Sequence, residues 1–348
     1  MGKFTGSLKL ANVWRVIREL DLHAIRDQAK APFDLTIYGD PQLAERMRGA
    51  LSPGGFAAPH RYLRVNPPAG TIVPTAAIVV MPRGARSTEL DQTLSALAGA
   101  RVPHALAIVD PDQPVDVAIA DAAQALAAAL PEQDRLAFAH HLPAFRPAVA
   151  EVIIEETARA NASFAFTSGL AETVPILTAP LNLGDMVVLT KNQLVMGYRL
   201  VLASGRDGEP KTLIGELLGV LGGGLLFRQM ARQLVGLIPI AGIVPKVAIA
   251  YGGTWAVGRA VMFWVTEGRP ATSEAVRTFS REGLERGRAV AKDIVARGRT
   301  GVARASNRFT RLRTQLPGLR RRARLSGEAP HASSPPPLPP PQLPPVQS

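Results

Sequence analysis

Near residue 146 the apolar rhythm of this chain changes, and the change bounds what it can fold into. Before that point short apolar runs alternate with amphipathic stretches, and after it only long helical spacings remain. Phe33-Asp34-Leu35-Thr36-Ile37-Tyr38-Gly39 reads as a strand entering a turn, and a short helix follows around Leu43–Leu51. Ala76–Met81 and Ala105–Asp110 are two further runs of strand length. Between them Thr88–Ala100 is helical, with Leu90, Leu94 and Leu97 on one side, and the Ala-rich stretch Val115–Leu130 is a helix after the second. Strand, helix, strand, helix in this order predicts a small parallel α/β sheet. The Gly- and Pro-rich stretch from Pro53 to Pro74 receives no element.

From residue 146 the patterns over Val149–Leu170, Asp185–Ala203, Thr212–Leu237 and Val244–Val265 predict an all-helical part, broken at Pro175/Pro180, Gly205–Pro210 and Pro239. At 348 residues the chain has room for two ordinary domains and a tail. Only 5% of its residues are aromatic against 47% apolar overall, so Ala, Leu and Val must fill the interior, which favours closely packed helices. The absence of cysteine excludes disulfides and thiolate-bound zinc or iron–sulfur centres.

Ahead of the first strand, Leu10, Val13, Trp14, Ile17, Leu20 and Ile25 place one apolar stripe on a helix within residues 1–30. That segment mixes Lys3, Lys9, Arg15 and Arg18 with Glu19, Asp21 and Asp27, so a secretory signal is not expected. Met1-Gly2-Lys3-Phe4-Thr5-Gly6 has Gly6 where a myristoylation signal wants Ser or Thr. Residues 233–258 carry Lys246 as their only charge, but Pro239 and Pro245 interrupt them and neither uncharged half reaches spanning length. A helical hairpin buried in protein is the favoured reading, with insertion into a membrane as the alternative.

The net charge of +12 is unevenly spread. Residues 1–268 hold 24 basic and 23 acidic side chains, residues 269–326 hold 16 and 4, and residues 327–348 hold only Glu328. After Pro270, apolar or small residues recur at helical spacing from Val276 through Phe279, Gly283, Gly287, Val290 and Ile294 to Leu312. The other faces carry Arg277, Arg281, Arg288, Arg299, Arg308, Arg311 and Arg313, and Arg320, Arg321 and Arg322 follow. Residues 269–316 therefore read as a basic amphipathic helix, and its glycines make it marginal in isolation, so a surface or partner is expected to order it. These ten arginines are the candidate contacts to an anionic surface. Residues 317–348 are Arg-rich and then Pro-rich and read as an extended tail.

The helical half resembles the YcjF-type helical domain, which in bacteria often follows a small Era-like GTPase domain. The resemblance rests on Glu155-Glu156-Thr157-Ala158-Arg159-Ala160-Asn161-Ala162, Leu189-Thr190-Lys191-Asn192-Gln193, Leu221-Gly222-Gly223-Gly224, Leu237-Ile238-Pro239 and Tyr251-Gly252-Gly253-Thr254-Trp255-Ala256-Val257-Gly258. It covers roughly residues 146–265. It implies that residues 31–145 are GTPase-like and that residues 146–268 are the helical domain; with the basic helical arm read above, the expected fold is α/β plus all-α.

The motifs of a GTPase are nevertheless missing. A phosphate loop needs G-x-x-x-x-G-K-[ST], whose amides and lysine meet the phosphates and whose hydroxyl holds magnesium. Counted from Gly39, those positions hold Ala44, Glu45 and Arg46. The strand that should end in a guanine-reading N-K-x-D ends in Val109-Asp110-Pro111-Asp112, and Pro82-Arg83-Gly84 stands where D-x-x-G is wanted. The resemblance and these losses together imply a degenerate, GTPase-like domain.

Other patterns favour packing over chemistry. Thr190-Lys191-Asn192-Gln193 imitates a guanine reader but lies in a helical stretch, and Gly222-Gly223-Gly224 has no following Lys-Ser. His140 and His141 lack a third ligand at metal-site spacing, and Asp110, Asp112 and Asp116 read as a solvated loop. No G-x-S-x-G, H-E-x-x-H or G-x-G-x-x-G occurs. No catalytic residue, cofactor or metal ligand is assigned. The expected role is a non-enzymatic scaffold or regulator, cytoplasmic and peripheral at an anionic inner-membrane face. The alternatives are a nonspecific nucleic-acid adaptor and, more remotely, a GTPase with an altered site.

Overall fold

The computed structural model describes residues 20–53, 61–68, 73–85, 87–110, 112, 114–171, 181–222 and 243–314. Its first described helix, α1 (Leu22–Ala29), starts at Asp21, whose carboxylate accepts from the Ala24 amide at 3.0 Å. The helix expected across residues 8–30 therefore has a cap within it, and residues 1–19 lie outside the described residues.

Four strands form one sheet in the order β2-β1-β3-β4, all parallel: β1 (Phe33–Gly39), β2 (Arg61–Val65), β3 (Ala76–Pro82) and β4 (His104–Val109). Helices α2 (Pro41–Leu51), α3 (Thr88–Gly99) and α4 (Asp116–Ala129) connect or follow them. Strand β2 lies in the stretch that the sequence reading left without elements. Its five residues, Arg61-Tyr62-Leu63-Arg64-Val65 at the sheet edge, show no regular alternation, a weak pattern that gains meaning only from its register, in which Leu63 faces Leu35.

The sheet has two unequal faces. Leu35, Ile37, Ile78 and Val80 are fully buried on the side that joins the main core. On the other side Ala77 and Val79 meet Leu97 and Val102, with α3 as their cover. The main core does not stop at the sheet. Phe33 stacks on Phe138 at 4.4 Å between ring centroids, and Phe138 meets Phe145 edge-on at 5.4 Å. This carries the core through α5 (Glu132–His141) and the short 3-10 turn Pro143–Phe145 into the helical part. The expected boundary at 145/146 marks a change of secondary structure within one continuous core.

The helical part comprises α6 (Arg146–Ala171), α7 (Leu181–Ala203), α8 (Pro210–Gly222), α9 (Ile243–Glu267) and α10 (Ser273–Thr314). The expected break at Gly205–Pro210 is present, while Pro175, Pro180 and Pro239 lie outside the described residues, as do the residues after Gly222 in the helix expected over Thr212–Leu237. Buried polar groups fasten α6, α7 and α9. Asn161 donates to the Thr254 hydroxyl at 2.8 Å, Asn192 donates to the Asn161 carbonyl oxygen at 2.7 Å, and Gln193 donates to Thr254 at 3.3 Å. Asn161 and Thr254 are completely buried, so these bonds replace water that neither could reach. Nearby, burial and the hydrogen bond to Glu155 push the Tyr251 hydroxyl well above its ordinary pKa, keeping it a donor.

Helix α10 corrects the expectation of a separate arm starting at residue 269. Its first half packs on α9 at backbone distance: a Cβ on Gly283 would lie 2.6 Å from the Gly252 carbonyl oxygen. Val276, Ala291 and Val295 are buried in the main core. The apolar stripe expected to seek a lipid or partner surface thus packs, up to Val295, into the protein's own core. The first compact unit runs to Val295 and the second is Ala296–Ser348.

Among the described residues no helix is long and apolar enough to cross a membrane. Of residues 233–258, those from Ile243 onward belong to α9, where Val247, Tyr251 and Trp255 are buried in the core, and residues 233–242 lie outside the described residues.

Gly283→Val should destabilise the first unit by about 1–3 kcal/mol, because a branched side chain cannot enter a backbone-to-backbone crossing without separating the helices. Urea unfolding followed by circular dichroism measures it, and an unchanged midpoint would contradict the crossing.

Candidate functional site

Two places could carry function: the carboxyl ends of the strands and the basic end of the chain. In open parallel sheets ligands sit beyond the carboxyl ends of the strands where the strand order reverses, here between β1 and β3. A single residue, Asp40, joins β1 to α2. Its carboxylate accepts from the amides of Gln42 at 3.0 Å and Leu43 at 2.9 Å, and Pro41 contributes no amide. The amides that a phosphate would seek at such a helix start are bonded to a fixed negative charge of the protein.

The strand end itself is closed in the same manner. Gly39 has φ +124°, and a Cβ there would lie 1.9 Å from the Val80 carbonyl oxygen, so only glycine fits. Asn66, just beyond β2, accepts from the Gly39 amide at 2.9 Å and donates to the Gly39 carbonyl at 3.0 Å. Arg83 after β3 pairs with Asp110 after β4 at 2.8 Å. Asp110 therefore has a cationic partner, and among the described residues no group of three His, Asp or Glu side chains could hold a metal ion.

Sequence reasoning tested this turn for a lysine and a hydroxyl but missed Asp40 and Asn66. The Asp-Pro pair was a legible cap-and-first-turn signal. The role of Asn66 depends on strand pairing and has no local signature.

The other patterns resolve into packing. Asn192 and Gln193, the imitation guanine reader, hold the helix junction described above. His140 is buried, with its Nδ1 at 2.7 Å from the Leu202 carbonyl oxygen, and meets His141 edge-on at 4.7 Å. Gly222 ends α8, while Gly223 and Gly224 lie outside the described residues.

Of the candidate surface arginines, Arg277, Arg281 and Arg288 are exposed on α10 at spacings that place them on one stripe of the helix. Arg286 is used differently: it pairs with Glu151 at 3.4 Å and lies 4.9 Å from the Trp255 ring centroid. Arg299, Arg308, Arg311 and Arg313 belong to the backbone of α10 in the second unit. Arg320, Arg321 and Arg322 lie outside the described residues.

The unit boundary sharpens the charge distribution. Residues 1–295 carry 30 basic and 27 acidic side chains, whereas residues 296–326 carry ten arginines and no acidic residue. Nearly the whole surplus begins where the first compact unit ends. Compared with protein-family models, curated proteins and solved structures, the chain finds no match in any of the three.

Asp40→Ala should cost about 0.5–2 kcal/mol of stability through loss of the α2 cap. Equilibrium unfolding in urea reads this, and a variant as stable as the parent would mean that Asp40 does not hold the turn.

Proposed function

We propose that this protein is a non-enzymatic scaffold or regulator whose GTPase-like α/β part has lost nucleotide chemistry and whose basic C-terminal segment binds an anionic membrane surface, the cytoplasmic face of the bacterial inner membrane. The observation that carries the reading is the run of ten arginines, unrelieved by any acidic residue, that starts beyond Val295. Each arginine near an anionic lipid surface contributes about 1 kcal/mol, so such a segment gives peripheral, salt-sensitive attachment without a spanning helix.

Two features support the regulatory, non-hydrolysing part. Asp40 occupies the amides at the helix start, and Glu45 stands where a phosphate loop has lysine. A magnesium-bound triphosphate would meet negative charge where catalysis of phosphoryl transfer requires cations. The YcjF-type resemblance of residues 146–265 supports the same assignment of parts. Because the apolar stripe of α10 up to Val295 packs inward, attachment rests on charge, with Arg277, Arg281 and Arg288 as additional exposed contacts.

The full chain should co-sediment with phosphatidylglycerol vesicles and remain in solution with phosphatidylcholine vesicles, and high salt should release it. A variant combining Arg299→Gln, Arg308→Gln, Arg311→Gln, Arg313→Gln, Arg320→Gln, Arg321→Gln and Arg322→Gln should lose binding. Equal binding by that variant would overturn the role of the segment. Indifference to lipid with tight, salt-steep binding to duplex DNA or RNA would replace the membrane reading with a nucleic-acid one.

In a separate titration, GTP with magnesium should give no saturable binding to the purified protein. Tight, magnesium-dependent uptake would overturn the loss of nucleotide chemistry.

A further inference from the structure

A cleft of about 690 Å³ opens between the first turns of α6, the end of α7, the second half of α9 and the start of α10. That is the size of sites that hold small organic ligands. Part of its lining is apolar, with Ile154, Met262, Phe263, Val265 and Phe279, and the Phe263 and Phe279 ring centroids are 6.4 Å apart. The rest is polar, with Arg146, Ser204, Thr266 and three more charged groups.

Those three charges have partners. Glu151 lies 3.6 Å from Arg259 and 3.4 Å from Arg286, and Glu267 lies 3.9 Å from Arg269. Arg146 is different. Its Nε donates to the Ala139 carbonyl at 3.3 Å and its Nη2 to the His140 carbonyl at 3.5 Å, both in the last turn of α5, and no carboxylate pairs with it among the described residues. Capping the end of α5 accounts for those two long bonds, but a guanidinium has five donors. Burial pulls its pKa below the usual arginine range, the sign of a cation short of solvation.

An uncompensated cation beside an apolar trough suits a ligand that is itself divided. We propose that this cleft binds a single-chain amphiphile with an anionic head group, the head on Arg146 and the chain along Met262, Phe263 and Phe279. Every lining residue precedes Ala296, so the site stands apart from the arginine run and does not depend on the membrane reading.

Isothermal titration calorimetry on the full chain tests it, with dodecanoate, dodecyl phosphate and dodecyltrimethylammonium all below their micelle concentrations. At least one of the two anions binds with a stoichiometry of one, the tighter one identifying the head group, and the cation does not bind. Arg146→Met weakens the anion by about ten- to a hundredfold, the range for losing charge-assisted hydrogen bonds. Met262→Trp, which fills the trough, blocks binding while leaving the circular dichroism spectrum unchanged, and it keeps the test open if Arg146→Met does not fold. A variant with Arg299→Gln, Arg308→Gln, Arg311→Gln and Arg313→Gln binds as the parent does. Absence of binding by both anions, equal binding of the cation, an unaltered affinity in Arg146→Met, or loss in the arm variant alone would each overturn the site.

Discussion

Helix α9 can be approached at backbone distance by its neighbours, and the packing of the helical part depends on that. Gly252 admits Gly283 of α10, Gly258 admits the Ile154 side chain of α6, and Thr254 carries the hydrogen bonds that fasten α6 and α7. Small residues let helices approach closely, and the buried hydroxyl and amides give that approach one register. Trp255 on the same helix is almost fully buried, with Arg259 and Arg286 stacked near its ring. A helix that was merely hydrophobic would bury as much surface, but it would not specify which partner lies on which side.

The same economy closes the strand ends. A parallel sheet places helix starts and their unpaired amides at one edge, a natural anion site. Here Asp40 takes the amides at the start of α2, Asn66 takes the Gly39 amide at the end of β1, and Gly39 brings β1 against Val80 too closely for any side chain. In this parallel sheet the protein's own polar groups satisfy that edge. The Asp-Pro turn thus both caps α2 and occupies the first amides of that helix.

Charge and fold are largely separated in this chain. The first unit is nearly balanced, and several of its arginines are held by Glu132, Glu151, Glu155, Glu156 and Glu209 or lie over tryptophan rings. The second begins within α10 and carries ten arginines against a single acidic residue, Glu328. The boundary falls within one continuous helix, Ser273–Thr314.

Much of the fold was legible in local pattern. The runs at 33–39, 76–81 and 105–110 became parallel strands, and the helical spacings after residue 146 became α6 to α9, because alternation, helical period and proline punctuation act over a few residues. The charge imbalance, the missing phosphate-loop lysine and the absence of thiolate chemistry also follow from residue identity alone. What the sequence could not decide were the partners of those patterns. Strand β2 exists through pairing with β1, and Asn192 and Gln193 of α7 bond to α6 and α9. The stripe Val276–Val295 packs into the core, with Gly283 against Gly252 of α9. An amphipathic face states that something apolar must cover it, but only long-range packing selects what does.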